Sequence, residues 1–367
     1  MALIGGRDTR DFVVWTGVDA TELKKLSLKD GTTMDAVTGL LAGALAGVSA
    51  EVNGDPLYSS LMSPTASPEV SYRMGSGTTM QPRSEYSRPE RARGEVDGHM
   101  LPLQAFDKAL GWSWDYLRGA YSAQIEADIA VAVEAVRTLA RTKILTRLIT
   151  KTDDSGASKG LGSSGYSPGF ATTAASTNVD FTPPTFAGVD FANTHEHYAI
   201  GGSSITSAQM VTNMKNLREH GHNGPFDLLI SSTDEATVAA FTDFVAAGDP
   251  LVNLGSSSAV VNLPPGYIGY LKSSYARVRV VNGWPANYTF MFKSYGANSP
   301  LNPLRVRVAD GESALRFQAF PEPNSGVSPA NPLGTLIVWG EFGVGVGDRT
   351  NGVPHRNNAA WADGTVS

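Results

Sequence analysis

The sequence predicts an α+β fold carrying a long protruding hairpin, and three observations lead there. Residues 51–100 contain no Ile, Phe, Trp or Lys, so they are poorly equipped to fill a hydrophobic core of their own. A long amphipathic helix pattern follows, in RGAYSAQIEADIAVAVEAVRTLARTKILTRLIT. The last third of the chain is a succession of strand-like segments separated by Gly, Pro and Asn turns.

Composition bounds the rest. The 367 residues are 41% apolar and only 17% charged, which fits a globular protein whose outer surface largely meets other protein. A net charge of −6 argues against a protein whose main task is gripping phosphates. The absence of cysteine excludes disulfides, thiolate metal sites and cysteine nucleophiles. No apolar run approaches the ~20 residues a bilayer span needs, so no membrane partner is expected. The opening MALIGGRDTRDF carries acids where a secretion signal would have its apolar centre, so synthesis and use in cytoplasm is the expectation.

From the N-terminus, DTRDFVVWTGVDATELKKLSLKDG has little periodicity and reads as an extended arm with a short helical piece. TTMDAVTGLLAGALAGVSAEVN reads as a helix capped by Thr33 or Thr32, with Leu40, Leu41, Ala44, Leu45 and Val48 on one face. Gly39, Gly43 and Gly47 recur every four residues, a spacing that admits a second backbone close by. From Gly54 to Gly98 five prolines forbid a long helix, and VSYRM and TMQPRSEY flank a glycine-rich centre as two antiparallel arms. Arms of roughly 15–20 residues would reach ~50–65 Å, well beyond the domain that carries them. The apolar residues of this stretch, among them Tyr58, Leu61, Met62 and Val70, suit an interface better than a core. Five arginines, Arg73, Arg83, Arg88, Arg91 and Arg93, lie on or beside the arms.

In the long helix, Ile125, Ile129, Ala132 or Val133, Val136, Ala140, Ile144 and Leu148 recur at helical spacing. Glu126, Glu134, Arg137, Arg141 and Arg147 take the opposite side, acids first and bases last, as the helix dipole favours. Residues 152–190 read as loop. SAQMVTNMKNLREHG is a helix capped by Ser207 and stopped by Gly221; FDLLIS is an apolar strand; STDEATVAAFTDFVAAG is a second capped helix. Strand patterns follow in YARVRVV, NYTFMFKSY, LRVRVA, ALRFQAF and GTLIVWGEFGVGVG.

No constellation for catalysis stands out. His195 and His197 flank Glu196, and His220 and His222 close a helix, so four histidines could in principle hold zinc. Neither pair has the i, i+4 spacing of a metal-binding helix. Polar residues at a junction are the expected role, with no metal site and no cofactor. Gly165-Tyr166-Ser167-Pro168-Gly169 formally matches a nucleophile elbow, but it lies in a low-complexity loop without the flanking strand and helix that the elbow needs. Gly343, Gly345 and Gly347 are not followed by a helix N-terminus, so close strand packing near an edge is expected there in place of phosphate binding.

The order of parts, with HEHYAIGGSSITSAQMVTNMKNLREHG, PFDLLISSTDEA and the late GEFGVGVGDRTNG, resembles the major capsid proteins of tailed double-stranded DNA bacteriophages, which have the Hong Kong 97-like fold. The resemblance covers essentially the whole chain, and no single motif carries it. It implies an N-terminal arm and short helix over 1–50, an extended E-loop hairpin over 51–107, and a peripheral domain with its spine helix over 108–200. Residues 201–300 would form mainly the axial domain, and 301–367 would return as strands to the peripheral domain and a C-terminal tail.

Many copies would form hexamers and pentamers of an icosahedral shell, built in the bacterial cytoplasm around DNA that is enclosed without sequence-specific binding. Scaffolding, portal or decoration proteins would be further partners. Tyr72, Arg73, Met74, Met80, Arg83, Tyr86, Arg88, Arg91 and Arg93 would make inter-subunit contacts. Some members crosslink the hairpin through a lysine; residues 51–107 contain none, so no covalent link is expected. Because the chain begins almost in its arm, a separate scaffold or none is implied. An encapsulin-like compartment holding protein cargo is the alternative with the same fold, and an α/β hydrolase or metal enzyme is the alternative outside it. Removing residues 66–90 is expected to leave a folded subunit that does not assemble.

Overall fold

The computed structural model describes residues 27–74, 95–152, 168–171, 183–184, 186–192, 194–247, 263–264, 266–321 and 333–366. Helix α1 (Met34–Gly54) starts at Thr33, whose hydroxyl accepts from the Ala36 amide at 3.3 Å. Its buried face is Met34, Val37, Leu41, Leu45, Val48, Ser49 and Val52. Leu40 points outward at 49% exposure, and a Cβ on Gly39, Gly43 or Gly47 would meet nothing within 4 Å. Among the described residues the glycine spacing therefore marks no close backbone contact, contrary to the sequence expectation. By length and composition α1 also qualifies as a membrane span, which corrects the statement that no apolar stretch is long enough.

Helix α2 (Pro56–Leu61) and strand β1 (Met62–Thr65) follow directly. Leu57, Leu61 and Met62 are buried in the main core, so the start of the supposed coreless stretch is built into the subunit instead of serving an interface. Strands β2 (Glu69–Met74) and β3 (Glu95–Met100) form a two-stranded sheet of their own. Then come β4 (Gln104–Ser113), the short helix α3 (Trp114–Gly119) and the long helix α4 (Ser122–Arg147). At 1.5 Å per residue α4 is about 39 Å long. Asp30 of the preceding segment holds its first turn, accepting from the Ser122 amide at 2.8 Å. That bond and one from Thr32 hold the Asp30 carboxyl well below the usual carboxylate range.

On α4, Ile125, Ile129, Ala132, Val136, Ala140 and Ile144 are buried, Leu148 is buried just past the helix end, and Val133 is half-buried beside Ala132. Arg147 is the exception to the amphipathic pattern. It is 5% exposed, and its guanidinium donates to the Thr152 carbonyl at 2.9 Å instead of reaching solvent. Helix α1 lies against α4, where Arg137 forks onto Glu51 at 2.8 Å and bonds Glu134. These groups are exposed, so the pair contributes little beyond orientation.

The remaining elements are β5 (Ala199–Ile200), α5 (Ser207–Arg218), β6 (Phe226–Ser231), α6 (Glu235–Ala239), β7 (Phe244–Ala246), β8 (Tyr267–Leu271), β9 (Ala276–Val281), β10 (Tyr288–Phe292), β11 (Leu304–Val308), β12 (Phe317–Pro321), β13 (Leu333–Val346) and β14 (Val353–Arg356). They complete two larger sheets. One runs β1-β11-β13-β12, with β4 also paired to β13; the other runs β5-β14-β10-β6-β9-β8-β7. The first sheet packs with α1 and α4 around one hydrophobic core. The second shares a separate core with α5, built from Met210, Met214, Leu217, Phe226, Leu228, Ile230 and Met291.

Three local expectations shift. The cap of α5 is Thr206, not Ser207: Thr206 and Gln209 form a reciprocal capping box, and Ser207 donates to Asp243 at 2.9 Å. The segment STDEATVAAFTDFVAAG forms only the short α6, because its second half becomes β7 at the sheet edge. Gly343 lies where the Pro102–Leu103 backbone crosses β13, and an added Cβ would overlap the Pro102 carbonyl. Its role is close backbone approach, as expected; among the described residues β13 has strands on both sides over 336–340, whereas Gly343 and Gly345 pair with β11 alone.

Candidate functional site

The β2–β3 ribbon is in antiparallel register from Glu69↔Met100 to Met74↔Glu95. The strand VSYRM therefore pairs with EVDGHM; TMQPRSEY, with Met80, Arg83, Tyr86, Arg88, Arg91 and Arg93, lies outside the described residues. Tyr72, Arg73 and Met74 sit on the distal part of β2. Among the described residues no third strand joins the ribbon.

Its root is firmly set. Val70 and His99 are direct cross-strand partners, 7% and 5% exposed, and His99 Nε2 lies 2.8 Å from the Val346 carbonyl of β13. The Leu101 amide donates to the Pro68 carbonyl at 2.7 Å. Glycine is required at position 98, since a Cβ there would approach the Val70 carbonyl to 2.6 Å.

Burial, reinforced by the Arg349 and Arg147 charges, brings His99 down to about 3. The unfolded chain then binds the extra proton as pH falls below the ordinary histidine value of about 6.5, so stability is full above that pH and declines toward about 3. The expected contribution is about 1.4 kcal/mol per pH unit. Melting measured between about pH 6 and pH 4 is expected to show a shallower acid decline in His99→Gln than in the parent chain.

The two histidine pairs divide differently from their order in sequence. His195 and His197, in the segment before β5, meet His220 at the C-terminal end of α5. The Nε2 atoms of His195 and His220 are 2.9 Å apart, and those of His195 and His197 are 3.2 Å apart. Glu219 Oε1 approaches His195 Nε2 to 3.3 Å and His220 Nε2 to 3.9 Å. Phe191 walls the group, its ring centroid 5.0 Å from His195 and 4.3 Å from His220. Desolvation lowers all three histidines and raises Glu219.

His222 turns away to Tyr295 and Thr350, at 2.8 and 2.9 Å. Glu196 turns to Lys151. The sequence offers all four histidines as a possible zinc set; the fold brings three of them together across 25 residues, adds Glu219 and leaves His222 out. Ser167, the formal nucleophile, lies outside the described residues.

The chain's last described residues are pinned by its own core. Val366 is fully buried and its amide donates to Thr146 Oγ1 at 3.1 Å. Trp361 packs edge-on against Tyr198 and Tyr288. Asp363 accepts from the Lys151 and Thr152 amides at 2.7 and 3.2 Å, just past α4.

No family model and no curated protein matches the chain. Among solved structures it is similar to one from Mycobacterium phage Patience, at 21% identity over 92% of both chains with a TM-score of 0.67. Looser similarity extends to the mature capsid of bacteriophage PhiM1, at 12% identity over 82% of this chain and 86% of that one, TM-score 0.47. A virus-like particle from Pyrococcus furiosus aligns at 12% identity over 87% and 99%, TM-score 0.40. Likeness over 92% of both chains to the first of these, together with the ribbon, the long helix and the two sheets in this order, identifies the fold: the chain has an α+β fold of the Hong Kong 97 type.

Proposed function

We propose that the chain is a major capsid protein, a non-catalytic subunit that assembles with copies of itself into an icosahedral shell around phage double-stranded DNA. The observation that carries the reading is the capsid-type fold held over nearly the whole chain, 92% in the alignment with the phage structure. In this reading residues 1–50 are the N-terminal arm and first helix, and 51–107 contain the E-loop that the ribbon begins. Residues 108–200 and 301–367 make the peripheral domain, and 201–300 mainly the axial domain.

The ribbon of one copy lies across its neighbour in a hexamer or pentamer. Arg73, Arg83, Arg88, Arg91 and Arg93 pair there with acids of the adjacent copy, and Tyr72, Met74, Met80 and Tyr86 pack against it. Because residues 51–107 contain no lysine, the contact is ionic and apolar without a lysine crosslink from this loop. Assembly takes place in the bacterial cytoplasm, with scaffolding, portal or decoration proteins as further partners.

The test is the content of particles isolated from lysed host cells. Long nuclease-protected double-stranded DNA inside particles built mainly of this chain is the expected result. Particles holding a protein cargo and no DNA would assign the chain to a compartment shell instead.

A further inference from the structure

We propose that His195, His197, His220 and Glu219 form a structural zinc site that clips the end of α5 to the segments before β5 and β14. The hydrogen positions available to these groups point to a cation. His197 Nδ1 lies 2.9 Å from the Gly352 carbonyl, an acceptor only, so Nδ1 carries the proton and Nε2 presents its lone pair to the cluster. His195 Nε2 then faces that lone pair, His220 Nε2 and a Glu219 oxygen, at 3.2, 2.9 and 3.3 Å. A single N–H on His195 can point well at only one of the three. His220 Nδ1, buried and without a hydrogen-bond partner among the described residues, offers no second outlet there. One divalent ion satisfies all four converging atoms together.

The dimensions agree. Zinc–nitrogen and zinc–oxygen bonds of about 2.0–2.2 Å at tetrahedral angles put ligand atoms about 3.4 Å apart. All four ligand atoms lie within 4.8 Å of one another, and Glu219, whose side chain is 35% exposed at the helix end, has the most room to adjust. Three neutral imidazoles and one carboxylate suit zinc, whereas magnesium and calcium favour all-oxygen sites. Four protein ligands leave no open coordination position, so the role is structural. His197 is fully buried, while His195 and Glu219 are partly open and give the ion an entrance.

The site also lies where it can brace the subunit. His197 adjoins Tyr198 of the main core, and the Gly352 carbonyl that orients it adjoins Val353 of the α5 core. The proposal stands apart from the capsid reading, since a shell subunit and an unassembled protein could both carry it.

The experiment loads the purified full chain with zinc alone, removes loose metal by dialysis, and measures metal per chain by mass spectrometry. About one zinc per chain is expected, with melting raised by the ion. His195→Ala and His220→Ala are expected to weaken retention more than about tenfold, while His222→Ala retains the ion as the parent does. Glu219→Gln, at the open edge of the cluster and with circular dichroism as a folding check, is expected to weaken binding even if a histidine variant misfolds. Failure of the parent chain to hold zinc would overturn the site, as would unchanged retention in folded His195→Ala and Glu219→Gln.

Discussion

Replacing residues 75–94 by a two-residue Asn-Gly turn is expected to give a folded subunit that no longer assembles. Met74 and Glu95 are direct cross-strand partners, so a tight hairpin turn can join them without disturbing the register. The root stays intact, because Val70, His99 and Leu101 remain buried on the main body. This geometry moves the cut from the 66–90 that sequence reading selects, since that deletion would remove Pro68 and Val70 from the root. A melting shift below about 4 °C, the size of a 1 kcal/mol effect, is expected. The assembled fraction in sedimentation should fall to background. Normal shells from this variant would show that the arginine-rich stretch is not an assembly contact.

Arg277→Met is expected to cost about 3–5 kcal/mol in urea denaturation, the largest single-site loss of stability foreseen here. Asp227 and Arg277 face each other across the β6–β9 pairing in the interior of the seven-stranded sheet. Asp227 is 1% exposed and receives a two-pronged bond, Nε to Oδ1 at 2.8 Å and Nη2 to Oδ2 at 2.7 Å. Burial pushes the Asp227 carboxyl up and Arg277 pulls it back, so without the arginine the carboxylate is left buried without its ion-pair partner. Replacing both residues, as in Asp227→Leu with Arg277→Met, should restore most of the loss, because no uncompensated charge remains. A single-variant cost below about 1 kcal/mol would mean that water reaches the carboxylate.

The parts of this fold readable from sequence are those fixed by local chemistry. The strands from YARVRVV to GTLIVWGEFGVGVG, the Thr33 cap and the apolar stripe of α4 all follow from side-chain periodicity and capping. What escaped depends on distant neighbours. Leu61 and Met62 look like lone apolar residues in a polar stretch, yet β1 enters the five-stranded sheet beside β11 and buries them. Arg147 sits on the polar side by spacing, but the chain folds back over the end of α4 and supplies a carbonyl to hold it. The glycines of α1 suggest close packing, whereas among the described residues nothing lies within 4 Å of where their Cβ atoms would be. Three members of the histidine cluster are named from the sequence, but the entry of Glu219 and the departure of His222 depend on the same long-range folding. The cluster's members are separated in sequence and joined only when α5 docks beside the segment leading to β5.

Electron microscopy of the purified full-length chain, expressed with and without its neighbouring structural proteins, tests the capsid reading most directly. Closed shells of uniform size, with a ribbon from each subunit laid over an adjacent copy, are the result the account predicts. A chain that stays monomeric or dimeric under every assembly condition, with its ribbon free, would contradict it.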